Sequence, residues 1–343
     1  MFDVAIIDEA LSEEQARSLE STLLTIDNIS KGVYINGDTQ ITGSTVTVKG
    51  GHTTDGVPFF EGYYGVDPGA DAPRNNTYLT ITDSNISIEN VGKVVQRVNM
   101  KLVGSTLTAA TRGIAFHIGR INLSQSESKN PAVLNITNAV LHGCTDTELV
   151  VNSGCTVNVN AGYLGLNLNG NSVFKSGSTV TAVGGTGGAE GHNYRDIAIS
   201  VNGAANTLTI EKGANVTVTG KLSAGWNNTT SIPGNIIIGD GKYDQVIQQG
   251  DPNAPTRISI TGGYFGTKPA DSCVATGYKA ANTPESDVHY TTYPYMIGLD
   301  PAYGWAAAIS NTGYMTFEEA LEATRIHSVA GVLPKTGLLT ERP

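Results

Sequence analysis

The middle of this chain keeps returning to one short phrase, a run in which apolar residues alternate with Thr, Asn and Ser before a turn. It reads Leu79-Thr80-Ile81-Thr82-Asp83-Ser84-Asn85-Ile86-Ser87-Ile88 where it is first clear. It returns as Leu134-Asn135-Ile136-Thr137-Asn138-Ala139-Val140-Leu141, as Leu208-Thr209-Ile210 with Asn215-Val216-Thr217-Val218, and as Ile258-Ser259-Ile260-Thr261-Gly262-Gly263-Tyr264-Phe265. A period of two buries one side of a strand, and Gly, Asn, Asp or Ser breaks each run at a corner. One such unit cannot cover its own apolar side, whereas stacked copies form a continuous core. The predicted fold is therefore an all-β, right-handed parallel β-helix (solenoid) over about residues 33–265. A two-sheet β-sandwich is the competing arrangement, because short alternating strands fit both.

Further strands are expected at Gln40 to Val48, Asn99 to Thr108, Leu149 to Val151, Thr156 to Val159, Leu164 to Leu168, Thr179 to Val183, Asp196 to Val201 and Asn235 to Ile238. The flanks read differently. Residues 1–32 form an N-terminal segment in which Ser12-Glu13-Glu14-Gln15 has capping-box form and Ala16, Leu19 and Leu23 follow at helical spacing. Residues 266–343 hold a Tyr- and Pro-rich stretch, then Thr316-Phe317-Glu318-Glu319 leading a second helix through Ala320, Leu321 and Ile326. Short helices at both termini would cover the open strand edges of a solenoid.

Composition narrows the function classes. Charged residues are 15% of the chain, below the roughly 25% of an ordinary soluble domain. With a net charge of -10 there is no basic stripe for a phosphate backbone, so nucleic acid is not an expected partner. No apolar run approaches the roughly 18 residues of a membrane span. The acidic start, Met1 to Glu9, does not read as a signal peptide, which leaves a cytosolic chain or a piece of a longer one. Cys144, Cys155 and Cys273 form neither a CxxC pair nor an even framework and are expected in the core.

Polysaccharide chemistry on a solenoid needs carboxylates, often beside Arg or Lys, gathered on one face. The candidates are His192, Arg195 and Asp196 in one loop, and Asp240, Lys242 and Asp244 in another. Solvated charge at strand ends is the simpler account of both. The strands are almost free of Asp and Glu, which argues against a carboxylate-lined groove. The six histidines lack ligand spacing, Gly239-Asp240-Gly241 reads as a turn, and Gly184 to Gly188 lacks the Lys-Ser/Thr of a P-loop. No metal or cofactor is expected.

Aromatic residues point to binding instead, since ring faces stack on sugars. Phe59, Phe60, Tyr63 and Tyr64 cluster in the insertion from His52 to Asn76, as a ligand platform or as a staple packing that loop on the coil. Asn135, Asn138, Asn158, Asn160, Asn167 and Asn169 are expected to stack as internal ladders.

Three stretches carry a resemblance. Ile258 to Phe265, with Lys268-Pro269-Ala270-Asp271 and Val274-Ala275-Thr276-Gly277-Tyr278-Lys279-Ala280, resembles the pectate-lyase-like β-helix regions of Gram-positive, gut-type bacterial surface proteins. Ala308 to Leu321 is similar to a helical lead-in that precedes new β-helix units in those proteins. Leu333-Pro334-Lys335-Thr336-Gly337 matches the LPxTG sorting signal, in which the bond equivalent to Thr336–Gly337 is cut by sortase. The apolar and basic continuation of that signal does not follow, so an anchor cut short and an ordinary Pro-Gly turn both fit. The resemblance implies a non-catalytic extracellular or cell wall-attached segment, adhesin-like or a stalk, with glycans or a host surface and sortase as partners. A β-helix polysaccharide lyase or glycoside hydrolase is the alternative, and a phage tail-spike-like receptor binder a third.

Overall fold

The computed structural model describes residues 19–20, 23–29, 33–35, 38–50, 58–62, 78–139, 142–185, 196–226, 232–250, 254–304, 307–309, 312–314 and 319–324. Each coil of the chain lays down three strands, and each strand pairs in parallel with its equivalent one coil on. Three parallel sheets result. The first runs through Tyr78–Thr82, Asn99–Val103, Asn171–Phe174, Thr207–Ile210 and Asn235–Ile238, the second through Thr45–Gly50, Val133–Ala139, Thr156–Ala161 and Thr179–Val183, and the third through Pro58–Gly62, Leu164–Leu168 and Ile197–Val201. Longer strands such as Thr106–Ser124 bend through two corners and contribute to all three. Parallel pairing between coils, rather than hairpin pairing of neighbours, rules out the sandwich and matches a right-handed β-helix.

The alternation places equivalent apolar side chains above one another. Ile81, Leu102, Leu123, Val151 and Phe174 form one inward column. Ile86, Leu107, Leu134, Val157, Val180 and Val216 form a second, and Phe60, Val95, Phe116, Cys144, Leu166 and Ile199 a third. All of them are buried. Each fully buried aliphatic side chain contributes about 1.5–3 kcal/mol, so these columns are the main stabilising term. All three cysteines are buried free thiols, as the sequence suggested.

At six coils the corner between the first and second sheets takes one of two forms. Where it has two residues, Gly43-Ser44, Asp83-Ser84 and Gly104-Ser105, the first takes a left-handed φ of 59°, 46° and 56°. The serine then turns inward. The Ser84 hydroxyl accepts the Ser44 N–H at 3.0 Å and the Ser105 hydroxyl accepts the Ser84 N–H at 2.9 Å, a ladder that satisfies buried corner amides. Where the corner has four residues, a local turn does this work: Cys155, Ser178 and Ala214 donate to the Asn152, Lys175 and Glu211 carbonyls. In those turns Gly154, Gly177 and Gly213 supply the positive φ at the third position.

Several expectations change. Leu19–Glu20 and Leu23–Ile29 are strands, parallel to 41–42 and 45–50, so Leu19 and Leu23 belong to the first coil and not to a helix. Residues 12–18 lie outside the described residues. At the other end an antiparallel hairpin, Tyr278–Asn282 with Tyr295–Leu299, closes the second sheet by pairing with Tyr264–Phe265. A short antiparallel pair, Ala307–Ile309 with Thr312–Tyr314, replaces the start of the expected helical lead-in. Residues 319–324 are helical, with Ala320 buried.

Candidate functional site

Phe59 and Phe60, expected in a loop, lie in the third-sheet strand Pro58–Gly62. They are 4% and 3% exposed and meet edge to face at 4.6 Å. Parallel pairing of Phe60 with Val33 and Val95 draws the strand into the wall and its rings into the core, so these two rings form a staple and not a ligand platform. Tyr63, Tyr64, His192, Arg195 and Leu333 to Gly337 lie outside the described residues.

Asp196 closes the base of its loop through backbone groups. Its N–H donates to the Gly185 carbonyl at 3.1 Å and its carbonyl accepts the Lys221 N–H at 2.6 Å, with a left-handed φ of 66°. Asp240 and Asp244 flank the strand start Lys242-Tyr243 rather than converging on one point. The Asp240 carboxylate accepts the Gly241 and Gly213 N–H groups at 2.8 and 3.3 Å, and the Asp244 carboxylate accepts the Gly220 N–H at 2.9 Å. Both act as corner caps tying one coil to the next.

The same coils carry an aromatic cluster that strand periodicity alone did not mark as a site. In Gly263-Tyr264-Phe265, Phe265 points inward and stacks on Tyr243 at 5.4 Å, which leaves Tyr264 on the outer face beside Lys242. The Tyr264 hydroxyl donates to the Asp287 carboxylate at 3.0 Å, the His289 N–H donates to its other oxygen at 2.8 Å, and the His289 ring lies 4.6 Å from the Tyr264 ring. Tyr293 meets the His289 ring edge-on at 6.4 Å. Beside them Val288 is 90% and Tyr290 39% exposed. The legible signal was an aromatic residue at an outward strand position.

Tyr264 and Asp287 are both shifted away from neutrality. Desolvation, then the bond to Asp287, pushes the Tyr264 phenol above its ordinary value, so it holds its proton. The His289 N–H, with the Tyr264 hydroxyl, holds the Asp287 carboxyl below the usual carboxylate range against a smaller opposing effect of desolvation. A base needs the opposite tuning toward neutrality. Among the described residues no group of three or more His, Cys, Asp or Glu is placed to hold a metal ion, and no helix is long and apolar enough to cross a membrane.

Asn135 and Asn158 stack, but on the outer side of the wall. Asn158 donates to Asn135 at 2.9 Å between coils, and Asn202 donates to Asn167. Strand pleating, with Leu134, Ile136, Val157 and Val159 buried, turns these amides outward. Among the described residues, only Asn135 and Asn158 of the six expected bond each other; Asn167 accepts from Asn202 and Asn169 donates to Asp146, so the internal ladder is not formed there. No protein-family model, curated protein or solved structure matches the chain.

Proposed function

We propose that the chain is a non-catalytic module of an extracellular bacterial surface protein, an adhesin-like unit or stalk that binds glycans. The observation that carries this reading is the division of labour on the last coils. Asp240 and Asp244, the best-placed carboxylates, are engaged as backbone caps, while Tyr264 on the wall and His289 and Tyr290 in the segment packed beside it offer partly exposed rings. Ring faces bind sugars without needing a tuned acid or base.

The surface setting rests on the resemblance of Ile258 to Phe265 and Ala308 to Leu321 to Gram-positive surface proteins, and wall attachment on Leu333-Pro334-Lys335-Thr336-Gly337. Glycan-array binding by the full chain tests the reading, with Tyr264→Ala expected to weaken it. Turnover of pectin, alginate or host glycans that Asp196→Ala or Asp240→Ala abolishes would overturn the non-enzymatic assignment. A trimer in solution would instead favour a tail-spike-like receptor binder. Incubation with a sortase and an oligoglycine acceptor should cut between Thr336 and Gly337; an intact chain would refute the wall attachment.

A further inference from the structure

The second sheet presents a flat outer face on which one hydrogen-bonding column runs along the solenoid. Thr108, Asn135, Asn158, Thr181 and Thr217 stand one above another, in register, on successive coils. Strand pleating sets them about 4.8 Å apart, with flanking outward residues roughly 6.6 Å to either side. From Thr106 to Thr219 the outward positions of these strands hold Thr, Asn, Val and Ala and no charged side chain. The column then continues through Lys242 to Tyr264 and the aromatic cluster.

We propose that this face binds an extended, uncharged polysaccharide lying along the solenoid axis, with its end against Tyr264. The proposal rests on the glycan reading above and names the class of glycan. Three features select the occupant. Thr hydroxyls and Asn amides each donate and accept, which matches a polymer whose every residue carries hydroxyls. Across the five coils from Thr106 to Thr219 the outward positions hold no cation to pair with a carboxylate or sulfate, Lys242 being the first on the way to Tyr264, and a chain of net charge -10 repels a polyanion as a whole. A face without a pocket gains affinity by repeating weak contacts along a linear ligand, and the register repeats without a shift from 156 to 183 and on to 219.

Affinity electrophoresis of the full chain in gels containing a neutral β-glucan, a neutral xylan or polygalacturonate tests this. The unmodified chain should be retarded by a neutral polymer and not by polygalacturonate, with little change from about 0.05 to 0.5 M NaCl. Thr181→Arg in mid-column should weaken retardation about tenfold or more by placing a bulky charge against the polymer. Thr209→Arg, on the outer face of the first sheet, should leave it unchanged and controls for added charge. Preference for polygalacturonate, or unaltered neutral binding by a folded Thr181→Arg chain, overturns the proposal. A dimer that Thr181→Arg converts to monomer also overturns it, since the face would then be a self-contact. If the chain binds glycans on an array but Thr181→Arg has no effect, the glycan reading survives and this face fails. If it binds none, the broader reading fails.

Discussion

Two serines at equivalent corners should respond oppositely to the same substitution. The Ser105 side chain is 1% exposed, and its hydroxyl is shared between the Val103 and Ile81 carbonyls at 2.8 and 3.1 Å while accepting the Ser84 N–H at 2.9 Å. Ser105→Ala deletes the acceptor and leaves the buried Ser84 amide unsatisfied. The carbonyl side loses less, because Val103 O also accepts the Asp83 N–H. An unsatisfied buried donor costs about 1–3 kcal/mol. At Ser178 the hydroxyl is buried with no hydrogen bond, and the corner amides of Ser178 and Cys155 already donate to Lys175 and Asn152. Ser178→Ala should therefore stay within about 0.5 kcal/mol of the parent or stabilise it.

Urea unfolding of both variants measures the difference as a shift in midpoint at constant slope. Because a solenoid opens coil by coil, hydrogen exchange at the Ser84 amide localises the effect; Ser105→Ala should lower its protection roughly tenfold, equivalent to about 1.4 kcal/mol. Equal destabilisation by the two variants would refute the argument, because it would show that the hydroxyl's volume and not its hydrogen bond holds the corner.

Other consequences follow from the same wall. A Cβ on Gly165 would lie 2.3 Å from the Ala198 carbonyl oxygen, so Gly165→Ala should lower stability by about 1–3 kcal/mol or more in thermal melts; an unchanged melt means the coils are further apart than described. Asp287 should titrate below free aspartate by carboxyl NMR. Its depressed value makes its contribution present at higher pH and lost as pH falls through the folded-state pKa, and Tyr264→Phe should move the titration upward. Burial raises Cys144, Cys155 and Cys273, so a thiol reagent at mildly alkaline pH should react slowly until denaturant is added; fast labelling of the native chain would contradict their placement.

What could be read from the sequence depended on how cleanly each wall alternates. Leu164–Leu168, Thr179–Val183 and Asn235–Ile238 were legible to the residue, because each is a short apolar run ending at a turn residue, strictly alternating in Thr179–Val183. Much of the third sheet was not. There Val94 and Val95, and Ala115 and Phe116, are buried as consecutive pairs, which erases the period of two. Leu19 and Leu23 misled for another reason: they belong to two separate strands, parallel to 41–42 and 45–50, so the spacing of four between them is not the period of a single element. The cluster at Tyr264 was hidden because Asp287 and His289 come from a segment with no period at all and reach it only through the closing hairpin.

Burial of Phe59 and Phe60 turns the pair from a binding question into a stability question. Adjacent aromatics in a Gly- and Pro-rich stretch read as a loop, yet Phe60 stands in the inward column with Val95 and Phe116. Truncating a buried Phe to Ala removes its transfer free energy and opens a cavity, a cost of about 3–5 kcal/mol, whereas an exposed ring would cost under about 0.5 kcal/mol. Phe60→Ala should therefore lower the urea midpoint sharply, while Phe60→Leu, which keeps most of the volume, should recover the greater part. The glycan profile of Phe60→Leu should match the parent, because the ring is buried in the wall. A lost profile with an unchanged midpoint would return Phe60 to the surface and overturn its place in the wall.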